Sequence, residues 1–207
     1  YFDTDMIKQV EVAKGPASAA YGSDALGGVI AITTKDAGDF LKGRDSYLDA
    51  TTGYASSSHQ KMAGITGALR AGEFENLLRS TWRDGGVTQN YDGDKDEFDI
   101  VSQAVLFKSK WNLSDDQFLK LTVDYFTEGQ DPHAVDLTKA GSVFNQPITD
   151  KETDNLSLVL DHGLALNAPW ADRVDSKVYY TRTKQTLDQY ASSKYPVRPT
   201  NPYVTKN

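Results

Sequence analysis

His59, His133 and His162 are the only imidazoles of the chain, and cysteine is absent. The chemistry open to its side chains is therefore narrow. There is no thiolate to act as nucleophile or metal ligand, no HExxH, no nucleophile elbow and no GxxxxGK[ST] phosphate loop, so no catalysis, no nucleotide site and no intrinsic cofactor is expected. His59 falls in a polar loop, where a solvated imidazole is the ordinary outcome. His133 follows Asp131-Pro132 in a long loop and is the candidate for contact with a ligand. His162 stands among leucines, which suits a strand end at an interface better than a metal site. The acidic run Asp92, Asp94, Asp96, Glu97 begins like a calcium loop, but Glu97 occupies the place of the required glycine and Gln103 that of the closing glutamate, so it is no EF-hand. It reads as a solvated loop or a looser divalent-cation site.

Charge and hydropathy bound the class. The formal net charge of −7 and the lack of a basic stripe with stacking aromatics speak against nucleic acid. A mean hydropathy of −0.53 looks like that of an ordinary soluble protein, yet a sheet with one face in lipid and the other in water has the same average. No run of about 18 apolar residues exists to make a membrane helix. The chain opens at Tyr1 with no signal-like segment, which reads as an internal fragment.

These residues must be held by strands. From Arg44 onward the sequence alternates apolar and polar side chains between turns, with little at helical spacing. Seven strands are expected, at about Ser46–Tyr54, Lys61–Ala71, Glu75–Arg83, Asp99–Trp111, Gln117–Thr127, Asn155–Leu166 and Arg173–Leu187. In the fifth, Leu119, Leu121, Val123 and Tyr125 alternate with Lys120, Thr122 and Asp124; in the third, Leu77 breaks the pattern. Connections sort by end. Those at 71–73, 112–116 and 167–172 are short, whereas 84–98 and 128–154 are long and 55–60 is the one short exception at that end. Trp111, Phe118 and Trp170 gather near the short-turn end and Trp82 near the other, where interfacial aromatic girdles belong.

Before these strands, Ile7 to Lys35 reads as two short strands rich in β-branched residues around a connection of small residues. Gly15-Pro16 stops the first strand, Pro16 can open a short helix over Ala17–Tyr21, Gly22 can end it, and Gly27-Gly28 implies positive φ or close approach of another backbone. Residues 37–43, marked by Gly38 and Gly43, read as a linker and domain boundary.

The segment EVAKGPASAAYGSDALGGVIAITTK, with Lys14, Gly15, Pro16, Gly22, Gly27 and Gly28, closely resembles the end of the plug domain of TonB-dependent outer-membrane receptors. It departs in having Lys14 where Arg is usual and Ala20 where a larger apolar residue is common. The resemblance implies the C-terminal part of an α/β plug over 1–36, a linker over 37–43, and over 44–207 the N-terminal part, about seven strands, of an all-β antiparallel up-and-down transmembrane barrel in a Gram-negative outer membrane. It implies partners as well: the TonB complex, outer-membrane lipid and lipopolysaccharide, and a transported ligand such as haem, haemoglobin-derived haem, a siderophore or another ferric chelate, or cobalamin. KGPASAAYGSDALGGVIAITTKDAGDFL, GYASSS and WRDGG look most like the haem and haemoglobin receptor branch, without carrying a haem ligand onto any position. A barrel enzyme or an adhesin is the reading from another class. Lys108, Lys110 and Lys120, all on inward-facing positions, are expected to pair with carboxylates of the plug.

Overall fold

The structure, a computed structural model, describes residues 6–15, 28–89, 95–132 and 148–190. Its elements are β1 (Ile7–Lys14), β2 (Gly28–Thr34), α1 (Ala37–Leu41), β3 (Ser46–Ala55), β4 (Gln60–Ala71), β5 (Phe74–Gln89), β6 (Lys95–Ser114), β7 (Gln117–Pro132), β8 (Ile148–Ala168) and β9 (Ala171–Tyr190). Strands β1 and β2 form an antiparallel pair, and β3 to β9 form one seven-stranded antiparallel sheet in sequence order. That is the up-and-down meander expected from alternation and short turns.

Every expected wall strand is present, and most run further than expected. Two-residue turns close β4–β5, β6–β7 and β8–β9 at one end. At the other, β5 continues to Gln89, β6 starts at Lys95, β7 reaches Pro132 and β8 starts at Ile148, so parts of 84–98 and 128–154 that read as loops are ladder. Apolar alternation stops near Trp82, Tyr125 and Leu156, and with it the sequence signal. The backbone ladder does not need that signal, because neighbouring strands satisfy its N–H and C=O groups whatever the side chains are. Strands of 16 to 21 residues exceed the roughly 9 to 11 that cross hydrocarbon.

The faces of the sheet separate cleanly. One presents Ile65, Leu69, Leu78, Trp82, Trp111, Leu121, Tyr125, Leu160 and Val178, each between 37% and 69% exposed. Against the other, inner face lie α1 and the start of β1. Met6, Ala37 and Leu41 pack there on Ala68, Leu77 and Leu106, with Phe40 and Tyr47 alongside. Leu77, completely buried, is apolar at an inward position because it meets this cluster, which explains the break in β5.

The linker contains structure. Asp36 caps α1, its N–H donating to the Asp39 carboxylate at 2.8 Å. Lys42 (φ 44°) and Gly43 (φ 87°) end the helix in the left-handed region. At the base of the β1–β2 pair, Lys35 N–H donates to Met6 O at 2.9 Å. Pro16, Gly22, Gly27, the Ala17–Tyr21 helix, Asp92, Asp94 and His133 lie outside the described residues.

Candidate functional site

The site is the junction where the chain preceding the sheet meets its inner face. Because side chains alternate along a strand, cross-strand register assembles rows on one face. One such row runs Arg70, Glu75, Lys110, Lys120, Asp161 and Lys177 across β4 to β9. Arg70 donates twice to Glu75 Oε1, at 2.8 and 3.1 Å. Lys177 Nζ lies 3.3 Å from Asp161 Oδ1. Between these pairs two lysines stand directly opposite each other, a destabilising arrangement unless each finds an outlet. Lys110 turns over the Phe118 ring, 5.1 Å from its centroid. Lys120 reaches toward Asp36 Oδ2 at 3.7 Å and Asp161 Oδ2 at 3.9 Å.

Asp36, just before α1, therefore supplies the carboxylate that the row lacks. Its stronger bond is to Lys108 Nζ, 2.8 Å away, and the same ammonium donates to Thr34 O at 3.1 Å. Lys108 is 6% exposed, and a buried cation persists only when paired and hydrogen-bonded. A second bridge, Lys8 Nζ to Asp39 Oδ1 at 2.8 Å, ties β1 to α1. Burial alone would raise the Asp39 carboxyl, but the Lys8 ammonium and the Asp36 N–H outweigh it and hold it below the usual carboxylate range. The hydrogen bond to Asp39, reinforced by its charge, raises the Lys8 ammonium above the ordinary lysine value.

Of the inward lysines expected to pair with plug carboxylates, Lys108 and Lys120 meet Asp36, and among the described residues Lys110 meets no such carboxylate. Sequence reasoning missed Asp36 and α1. The signal was there in weak form, an N-cap aspartate, Asp39 in the first turn and Gly43 beyond the end, obscured by a segment only five residues long.

Further along the inner face, β8 and β9 carry an uncharged ladder: Ser157 Oγ with Thr181 Oγ1 at 3.3 Å, Thr183 Oγ1 donating to Asn155 Oδ1 at 2.8 Å, and Gln185 Nε2 donating to Thr153 Oγ1 at 3.4 Å. His59 lies exposed in the β3–β4 turn, its Nδ1 2.9 Å from Tyr54 Oη. His162 Nε2 is 2.8 Å from Gln117 Nε2 on the leucine-bearing face. Among the described residues no three His, Asp or Glu side chains gather to hold a metal ion. Lys14 faces Gly28 across the β1–β2 pair. Gly28 combines φ 148° with the Ala13 carbonyl oxygen 2.7 Å from where a Cβ would stand, so only glycine fits.

Residues 1–29 match the TonB-dependent Receptor Plug Domain family. The chain is 28% identical over 186 residues to a hemin receptor of Yersinia enterocolitica, covering 89% of this chain and 27% of that protein. It is also 28% identical to a hemoglobin and hemoglobin-haptoglobin-binding protein of Haemophilus ducreyi, over 69% of this chain and 16% of the relative. The chain thus spans about a quarter or less of the relatives it matches. In fold it is similar to the FrpB iron transporter of Neisseria meningitidis, with TM-score 0.67 at 20% identity over 90% of this chain and 29% of that one. The plug match over residues 1–29, the likeness to hemin and hemoglobin receptors and the transporter-like fold agree in making the chain similar to TonB-dependent receptors.

Proposed function

We propose that this chain is part of an outer-membrane transporter that imports an iron-bearing ligand, haem taken up free or from haemoglobin, under the drive of TonB. The observation that carries the reading is a sheet with a bare apolar band on one face and a plug terminus bound by charge on the other. A water-soluble sheet would cover that band, whereas hydrocarbon covers it without a partner. The seven strands leave β3 and β9 as the ends of the sheet, and lipid tolerates no open edge. Further strands therefore complete the wall. A wall of about 22 strands encloses a lumen that must be plugged, and residues 37–43 are the joint that fixes the plug to it.

On this reading the plug ends at residue 36, the joint covers 37–43 and the wall begins at residue 44, with the short turns in the periplasm and the long connections outside. The glycines of the plug motif, Gly15, Gly22, Gly27 and Gly28, serve its backbone geometry, and His133, which follows Asp131-Pro132 in the sequence, is the candidate for contact with ligand. The chemistry asked of this portion is binding and gating.

The test is growth of a strain lacking the receptor, with haem, haemoglobin or a ferric siderophore as sole iron source. Loss of growth on the haem sources alone supports haem import; loss on a siderophore alone gives a different cargo to the same machine, and growth on all of them defeats the iron reading. Activity of the purified receptor on a lipid or peptide without TonB would favour a barrel enzyme.

A further inference from the structure

On its outward face β8 carries Leu156, Leu158, Leu160, His162 and Leu164, so a single imidazole interrupts a row of leucines. The strand continues to Ala168, and His162 therefore stands inside it rather than at its end. Register sets Leu119 of β7 and Ser176 of β9 directly opposite His162; Leu121, Leu160 and Val178 form the outward row on one side of it, and Gln117, Leu164 and Val174 the row on the other. The ring is enclosed by the apolar band. This placement owes nothing to the plug, which meets the other face, and β7 and β8 both have neighbours on either side. Gln117 Nε2 lies 2.8 Å from His162 Nε2. An amide nitrogen can only donate, so the imidazole nitrogen facing it must offer a lone pair, and the ring is neutral with its proton on Nδ1.

We propose that His162 and Gln117 form an acid-sensitive seam in the lipid-facing wall: the wall seats in the bilayer while the imidazole is neutral and accepts the Gln117 N–H, and a proton on His162 reverses that bond and weakens the seating. The proposal rests on the membrane reading above and adds a proton-sensing residue to it. A charge facing hydrocarbon is costly, and a neutral polar group there needs a partner, which the amide supplies. A proton taken from solvent turns Nε2 into a donor. Two donors then face each other, and Gln117 must turn its amide to offer Oε1. The turned amide restores one hydrogen bond and leaves the charge in place. The inserted wall thus excludes a proton that the unfolded chain takes up, so insertion weakens as pH falls. No titratable side chain faces the ring from the adjoining strands, which present Gln117, Leu119 and Leu121 from β7 and Val174, Ser176 and Val178 from β9, with Trp111 of β6 beyond Leu119. The charges at this level, Lys120, Asp161, Arg173, Asp175 and Lys177, belong to the inner face, and Asp115 and Asp116 to the exposed turn before Gln117. Asp175, whose carboxylate interacts with the charge of His162, is already held by Arg173 Nε at 2.8 Å from each oxygen.

The experiment folds the full receptor from urea into phosphatidylcholine vesicles across a pH series and reads the equilibrium between inserted and unfolded protein. In the parent, that equilibrium should weaken by up to about tenfold for each pH unit below about 6.5, where a free imidazole takes up its proton. His162→Gln keeps a polar side chain that carries no charge at any pH and should insert at neutral pH with that acid step removed. The difference between the two curves separates the imidazole from the carboxylates of the wall. His59→Gln, in the exposed β3–β4 turn outside the band, should keep the step. Nitrogen-15 spectra of the inserted, histidine-labelled receptor should show, as the signal missing from His162→Gln, a ring with a bare Nε2 at weakly alkaline pH, and Gln117→Leu should release that preference. An acid step of equal size in parent and His162→Gln, or a neutral ring with its proton on Nε2, would overturn the seam. A parent receptor that inserts at no pH would defeat the membrane reading, and the seam with it.

Discussion

At Lys108 a single ammonium joins two parts of the molecule. It is buried on the inner face of the sheet, and its partners, Thr34 O and Asp36, both come from the chain that precedes the sheet. Lys108→Glu would place two carboxylates together in a desolvated site, and the expected result is loss of plug docking, seen as protease sensitivity at the joint in the full receptor and reduced uptake. Reversing both partners, with Asp36→Lys added, should restore part of it. Asp36→Ala alone should cost about 2 kcal/mol, below the usual cost of breaking a buried pair because Asp36 is 42% exposed. Leu77 supplies the apolar half of the joint. Leu77→Ala empties a fully buried position and should destabilise docking by roughly 2 to 4 kcal/mol, read as a lower melting temperature for the joint. Gly163 works by having no side chain, since the Phe118 ring occupies the space of its Cβ, and that leaves the ring flat beneath Lys110 and Arg173.

Among the elements, α1 is too short to be stable on propensity. It persists because Ala37 and Leu41 are buried against the wall and its ends are tied by Asp36, Lys42 and the Lys8–Asp39 bridge. The bridge gives the joint a pH window. Asp39 has a lowered folded pKa, so its contribution is present above the ordinary carboxylate pKa and lost as pH falls through the folded value. Lys8 has a raised one, so its contribution is complete below the ordinary lysine pKa and lost as pH rises through the folded value. Hydrogen exchange at α1 should therefore be slow from weakly acid to moderately alkaline solution and accelerate outside that range. Asp39→Asn should exchange faster at neutral pH and show a smaller acid step.

For the whole molecule, the decisive asymmetry is between the two faces of the sheet. Leu121 and Thr181 lie on opposite faces, the first in the apolar band and the second on the polar ladder. Leu121→Arg should cost about 2 to 4 kcal/mol if the band meets hydrocarbon near mid-depth, whereas Thr181→Arg, facing a wet lumen, should cost under about 1 kcal/mol. Folding yield of the full receptor into bilayers measures both. Equal costs would mean that both faces see water. The strands' continuation past Trp82 and Tyr125 carries the wall beyond that band.

Alternation alone determined the seven strands, their order, which side of each faces outward, and the ends at which turns are short. Period-two patterning is local, and a strand half in lipid cannot hide it. A short motif rich in glycine pointed to the plug family, whose match covers residues 1–29, because positions such as Gly28 leave room for no other residue. Tertiary structure decided where Leu77 and Lys108 find their partners, that 37–41 is a helix, and how far the strands rise beyond the apolar band. Those outcomes depend on residues more than 70 positions apart, as in Lys108 with Asp36, and on ladders whose hydrogen bonds leave no trace in side-chain type. No period in the sequence records which carboxylate a buried cation will meet.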